Sequence, residues 1–182
     1  KELKKASCIL VTMFYPSDAE DVAIFKPLLK KLDWMNPVPL IDRYLFEGKI
    51  FQPSWLFKEY HYPENVTLFP WEKLSESERK ELLRQEEQGR FSKEVSPFFN
   101  ESQIEPLNSL GIKKNEEIIG WIITHRFNPL TIRYSALYIE PEYHFGVLGI
   151  RLLIEAIKIQ KQAIDSLHPA IYALFDLNRM QT

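Results

Sequence analysis

The sequence predicts an α/β (α+β) domain in which helices flank a mixed, largely antiparallel central sheet. Apolar, β-branched runs alternate along the chain with segments whose apolar residues recur at helical spacing. Three strand candidates in the second half follow one another across the short links KN and NPL, which is typical of antiparallel neighbours. With 45% hydrophobic and 26% charged residues, the 182-residue chain has the composition of a domain that buries a core.

The first part of the chain, residues 1–48, predicts a strand, a helix and a second strand. CILVTMF is a β-branched apolar run, and SDAED supplies an N-cap and an acidic first turn for the helix expected over VAIFKPLLKKLDW. Pro27 in that helix is either tolerated near its start or kinks it. PLIDRYLFEG alternates like a strand. Residues 49–65 are rich in aromatic residues and proline, and they predict a packed connector at the boundary to the next domain.

Residues 66–182 contain the larger domain. VTLFPWEKL predicts a short strand, and SESERKELLRQEEQG predicts a charged helix that Ser75 and Glu78 begin with a capping box and Gly89 ends. The three antiparallel candidates, SLGIKKN, EEIIGWIITHRF and TIRYSALYIEP, come next. GVLGIRLLIEAIKIQKQAID then predicts a long helix with one apolar face, and HPAIYALFDLN a final strand.

Charge, cysteine content and hydropathy exclude several classes. The 23 basic and 25 acidic residues are scattered, which disfavours a nucleic-acid partner. Cys8 is the sole cysteine, and its apolar surroundings favour a buried inert thiol in a reducing compartment. No run approaches the ~18 apolar residues of a membrane span, so we expect a cytoplasmic protein. The four histidines lack metal-ligand spacing, and no metal is expected.

The stretch PEYHFGVLGIRLL joins a predicted strand to a predicted helix through a short glycine-bearing turn. Such a junction is one of the standard ways in which proteins bind phosphate, because unpaired N–H groups and the helix dipole point at the anion. The alternative is an ordinary turn.

The order of elements from Val66 to Thr182 resembles that of the GNAT acetyltransferase superfamily. VTLFPWEKLSESER resembles the family's first strand and helix start, EEIIGWIIT its glycine-bearing strand, and TIRYSALYIEPEY its central strand. HFGVLGIRLL stands at the place of the acyl-CoA pyrophosphate loop, Gln/Arg-x-x-Gly-x-Gly/Ala. There, His144 and Val147 depart from the pattern and Gly149 matches it.

The resemblance implies a GNAT-like sheet and a co-substrate, acetyl-CoA or another acyl-CoA, whose acyl group goes to an amine of a small molecule or a peptide. Asn178 matches an Asn that follows the family's last main strand. The family usually binds pantetheine and polarises the carbonyl with backbone groups of the central strand. The implied acyl-CoA contacts are Leu137, Tyr138, Ile139, His144, Phe145, Gly146, Val147, Leu148, Gly149 and Asn178.

Three residues are candidates for catalysis. Glu140 and His125 end neighbouring strands and could each act as the base, while a simple strand-terminal role is the alternative for both. The family often uses a Tyr in the helix after the Asn as the general acid, and this sequence has no Tyr at the matching place near Leu29. Tyr138 is then a catalytic candidate beside Tyr134 and Tyr143, each of which is more simply a packing or interface aromatic, and the general acid stays unassigned.

The first 48 residues resemble the end of a GNAT unit, whose final helix and strand are missing after Asn178. They are either the tail of a preceding unit in a tandem protein, the simpler explanation, or the missing pieces in permuted order, supplied within the chain or by a second copy. A homodimer and a neighbouring GNAT unit are therefore the expected protein partners. Val147 and the missing Tyr favour a second functional hypothesis, a degenerate GNAT-like binding or structural module. A third is an interaction domain that uses the aromatic connector.

Overall fold

A computed structural model describes residues 22–33, 41–47, 52–129, 131–144, 147–164 and 170–176. The chain divides into two compact units, Lys1–Pro39 and Leu40–Thr182. The described element of the first unit is helix α1, Val22–Lys31, which contains Pro27. The strand predicted at residues 8–14 and Cys8 lie outside the described residues. The domain limits predicted from the sequence stay predictions.

The second unit is built on a six-stranded sheet with the order β1-β6-β5-β4-β3-β2. Its strands are β1 (Ile41–Glu47), β2 (Val66–Pro70), β3 (Leu110–Lys114), β4 (Glu117–Asn128), β5 (Thr131–Ile139) and β6 (Ala170–Asp176). Helices α2 (Glu76–Glu87) and α3 (Leu148–Ile164) complete it. Neighbouring strands are antiparallel except β5 and β6, which are parallel and joined through α3. This confirms the predicted fold class.

Strand β1 lies at the edge of this sheet, where its seven residues pair with β6 of the same chain. Both explanations of the N-terminal segment expect a strand from it beside the sheet. Whether the segment is the tail of another unit or a permuted piece of this one stays a prediction.

Helix α2 begins with the predicted capping box. The backbone N–H of Ser75 donates to Glu78 Oε2 at 2.8 Å, and the backbone N–H of Glu78 donates to the Ser75 hydroxyl. Lys113 of β3 lies 2.5 Å from the other carboxylate oxygen of Glu78. Partial burial opposes ionisation of Glu78, but the bonds from Lys113 and Ser75 outweigh it and lower its pKa to about 2. The cap therefore also fixes α2 to the sheet.

Each face of the sheet packs against a different helix. On one face, β3, β4 and β5 contribute Leu110, Ile112, Ile122 and Ile132 to a core that α3 covers. The described connector residues contribute the buried Leu56 to this core. The other face is aromatic, and α2 covers it.

A buried polar network fastens α3 to the first of these faces. Asn108 donates through its Nδ2 to Tyr134 Oη and Gln160 Oε1, both at 3.1 Å, and accepts from Thr124 Oγ1 at 2.6 Å. Tyr134 Oη also donates to Gln160 at 3.0 Å. Because all four side chains are buried and paired, the network favours one register of helix on sheet.

None of the described helices has both the length and the apolar composition that crossing a bilayer requires. Within the same residues, no group of three or more His, Cys, Asp and Glu side chains is arranged to hold a metal ion.

Candidate functional site

The two parallel strands β5 and β6 separate halfway along their length. They pair only where Thr131–Tyr134 lies beside Ala170–Ala173, although both strands continue further. At this point Ser135 is an extra residue in β5, because Ile123 pairs with Ala136 and the next residue of β4 pairs with Tyr134. From Ser135 onwards, no described strand pairs with this side of β5, and we call the gap between the diverging strands β5 and β6 the opening.

The direction of the peptide groups decides which residues of β5 face the opening. The N–H of Glu140 donates to Ile119 O of β4 at 2.8 Å, so the preceding C=O, that of Ile139, points away from β4. In an antiparallel pair, the backbone N–H and C=O of successive residues point alternately toward the partner strand and away from it. Those of Tyr138 therefore point toward β4, and those of Leu137 and Ile139 point toward the opening. Of the three predicted backbone contacts, two therefore lie on the open side.

Helix α3 begins beside this opening. Val147 O accepts the first helical hydrogen bond, from the N–H of Arg151 at 2.9 Å, which makes Val147 the N-cap residue. Valine has no side-chain oxygen to bind the first N–H groups of the helix, which lack intrahelical partners. A Cβ on Gly149 would lie 3.4 Å from Ile139 Cγ1 and 3.9 Å from Leu137 Cδ2. The start of α3 thus packs directly on the end of β5, and the N–H groups of its first turn have no partners within the helix.

His144 lies on the same side and is already hydrogen-bonded. Its Nε2 is 2.7 Å from Ile139 O, the carbonyl that points into the opening, so the Nε2–H donates. Val147, at the place of the family's first glycine, is 47% exposed, whereas Leu148 is buried in the core. Phe145, Gly146 and Asn178 lie outside the described residues.

Glu140 and Tyr138 project from the opposite face of the sheet, the face that α2 covers. The Glu140 carboxylate is buried, and its Oε1 lies 2.9 Å from Arg90 Nε. The Tyr138 ring stacks on Trp121 with 4.5 Å between centroids. The Tyr138 hydroxyl makes no hydrogen bond with the described residues. Burial and the nearby charge of Glu140 raise the pKa of this hydroxyl to about 12. Tyr138 is therefore protonated at neutral pH.

His125 lies elsewhere on that face. It is buried, with Nδ1 2.7 Å from Ser135 Oγ and Nε2 2.8 Å from Phe99 O. Burial lowers its pKa, so the ring is neutral at pH 7. Because His125 pairs with Arg133, it is about 20 Å from Glu140, at roughly 3.3 Å per strand residue. The structure does not bring these two candidates together, and the alternative of an exposed strand-end histidine is wrong.

Comparisons with known proteins identify the fold. No protein-family model and no curated protein matches the sequence. A solved GCN5-related N-acetyltransferase from Kribbella flavida superposes with a TM-score of 0.50 at 14% identity, over 82% of this chain and 53% of that protein. A second, from Sphaerobacter thermophilus, gives 0.55 at 13% identity, over 83% and 46%. The chain has a GCN5-related N-acetyltransferase fold. It spans about half the length of the two proteins.

In this GNAT fold, those of the predicted acyl-CoA contacts that the structure describes lie near the end of β5 and the start of α3. The loop and helix start at His144 and Gly149 lie on one face, and Glu140 with Tyr138 on the other. Of the other two tyrosine alternatives, Tyr134 belongs to the buried polar network, and the ring of Tyr143 lies under Lys114 Nζ at 4.7 Å.

Sequence reasoning missed Arg90, for which the only signal is its position directly after the helix-ending Gly89. It also missed a groove of about 630 Å³ between the last turns of α2 and the segment that follows, lined by Leu83, Glu86, Glu87, Lys93, Ser96, Phe98 and Phe99.

Proposed function

We propose that the protein is an acyl-CoA-dependent N-acyltransferase that transfers an acetyl group from acetyl-CoA to an amine. The observation that carries the proposal is the open edge of β5, which has the N–H groups of the first turn of α3 on one face of the sheet and the buried carboxylate of Glu140 on the other. A thioester in the opening would be reached by both sets of groups. The fold agrees with this activity, and the residues supply its chemistry as follows.

The start of α3 binds the negatively charged pyrophosphate. The N–H groups of Leu148, Gly149 and Ile150 have no intrahelical partners, and the helix dipole favours an anion there. Pantetheine lies along β5, where the backbone groups of Leu137 and Ile139 face the opening. An N–H of this edge donates to the thioester carbonyl oxygen and stabilises the negative charge that develops on it.

Glu140 and Tyr138 move the protons. The amine nitrogen attacks the thioester carbon, Glu140 accepts the proton that the amine loses, and the carbon–sulfur bond breaks as the amide forms. The leaving thiolate takes a proton from Tyr138, which is protonated at neutral pH. His125 is left out of this set, because its two ring nitrogens are engaged and it lies about 20 Å from Glu140, at roughly 3.3 Å per strand residue.

Two observations favour a second candidate, a GNAT-like module that binds acyl-CoA weakly or serves as a structural partner. Val147 places a β-branched side chain where a phosphate would approach the backbone. His144 already donates a hydrogen bond to the carbonyl oxygen of Ile139, which pantetheine would otherwise use. Both features weaken binding without touching the catalytic pair.

Turnover distinguishes the two functions. The protein is incubated with acetyl-CoA and a panel of primary amines and amino acids, and free CoA and acetylated amine are measured by chromatography and mass spectrometry. We expect equal amounts of both products, and at least a hundredfold lower rate for Glu140→Gln. Binding without turnover would favour the second candidate, and full activity of Glu140→Gln would exclude Glu140 as the base.

A further inference from the structure

The backbone of Arg90 is fixed on both sides. Gly89 ends α2 with φ of 73°, its N–H donates to Glu86 O at 2.9 Å, and the N–H of Arg90 donates to Gln85 O at 3.0 Å. These are the two hydrogen bonds of a Schellman motif. The next residue, Phe91, is buried in the aromatic core. Arg90 is therefore held at one place rather than on a free loop.

The side chain of Arg90 is partly buried against Glu140 and partly exposed to solvent. Its Nε faces the Glu140 carboxylate, whose side chain is 8% exposed, whereas the Arg90 side chain is 51% exposed. A guanidinium carries five N–H donors in a planar fork. Among the residues that the structure describes, no second carboxylate lies within ion-pair distance of Arg90. A partly exposed cationic fork thus stands directly beside the buried carboxylate.

Such a pair of opposite charges is complementary to a molecule that carries an ammonium and a carboxylate on one carbon. The ammonium would face Glu140, and the carboxylate would take the outer N–H groups of Arg90, which suit its planar geometry. A simple amine would interact with Glu140 and leave the outer N–H groups of Arg90 without a partner from the ligand.

We infer that the acyl acceptor is an α-amino acid, and that Arg90 binds its carboxylate while Glu140 receives its amine. This inference rests on the proposed function, in which Glu140 faces the acceptor.

The test is direct binding, measured by isothermal titration with pairs of ligands that differ only in the carboxylate. Phenylalanine is compared with phenethylamine, and alanine with ethylamine. We expect the wild type to bind the amino acid of a pair at least tenfold more tightly. Arg90→Gln should abolish this preference, and Arg90→Lys should restore part of it, because lysine keeps the charge without the fork.

Arg84→Gln is the matched control. It removes the same charge from the surface of α2, where Arg84 pairs with Glu81 by two hydrogen bonds, and it should leave the preference intact. Equal affinity for both members of every pair overturns the inference, as does a preference that survives in Arg90→Gln. Because the titration needs no acyl-CoA, a failure of acetyl-CoA to bind refutes the proposed function separately.

Discussion

Replacing Val147 with glycine should tighten the binding of acetyl-CoA. Val147 is the N-cap of α3, and in the proposed function a phosphate approaches the helix N–H groups at this residue. Its side chain is 47% exposed, so part of it lies over the protein and part projects into solvent. Glycine removes the β-branched side chain and is the residue that the GNAT acyl-CoA loop has at this position.

The expected cost to the fold is small. Losing the buried half of a valine side chain costs about 1 kcal/mol, since full burial contributes roughly 1.5–3 kcal/mol. Glycine is a better N-cap than an aliphatic residue by about 0.5–1 kcal/mol, which offsets most of that loss. The melting temperature should therefore change by less than about 4 °C. For the affinity we expect at least a tenfold gain, about 1.4 kcal/mol.

Isothermal titration of acetyl-CoA into the wild type, Val147→Gly and Val147→Ala measures the effect, with thermal unfolding as the control for the fold. Alanine keeps the Cβ and loses the branched methyl groups, so its affinity should fall between the other two. The reasoning is refuted if Val147→Gly melts normally and binds acetyl-CoA no better than the wild type. Val147 would then not face the ligand.

Three further predictions concern the sheet and its supports. A Cβ on Gly120 would meet Tyr138 O at 2.4 Å, so Gly120→Ala should lower the free energy of unfolding by about 1–3 kcal/mol in urea titrations, whereas Gly149→Ala should not. Glu78→Gln should destabilise the protein by about 1 kcal/mol at pH 7. Because the pKa of Glu78 is lowered to about 2 from 4.5, this difference should be full above pH 4.5 and disappear toward pH 2. Asn108→Ala should cost about 1–3 kcal/mol, since it leaves buried partners unpaired, and near-wild-type stability would contradict the network.

Local patterns in the sequence predicted the features that depend on neighbouring residues. The capping box at Ser75 and the helix end at Gly89 follow from side-chain chemistry and backbone freedom within one turn. Short links predicted the antiparallel order of β3, β4 and β5 in the same way. The glycine-bearing junction before α3 was found because it lies within one stretch of sequence.

The remaining features depend on residues that are distant in sequence. The separation of β5 from β6 starts at Ser135, an extra residue that appears only once the register with β4 is known. Arg90 meets Glu140 across fifty positions of chain, and no period connects them. His125 was expected near a strand end, but an irregular segment that contains Phe99 covers it. Packing of such segments is set by tertiary contacts, which single-sequence patterns do not contain.

Hydrogen exchange of the backbone amides, followed by NMR with and without acetyl-CoA, tests the central claim most directly. If pantetheine lies along the open edge of β5, the amides of Leu137 and Ile139 should exchange more slowly when acetyl-CoA is added. The amide of Tyr138, which faces β4, should be protected already and change little. Binding that leaves Leu137 and Ile139 unprotected, or that protects a different part of the sheet, would contradict the account.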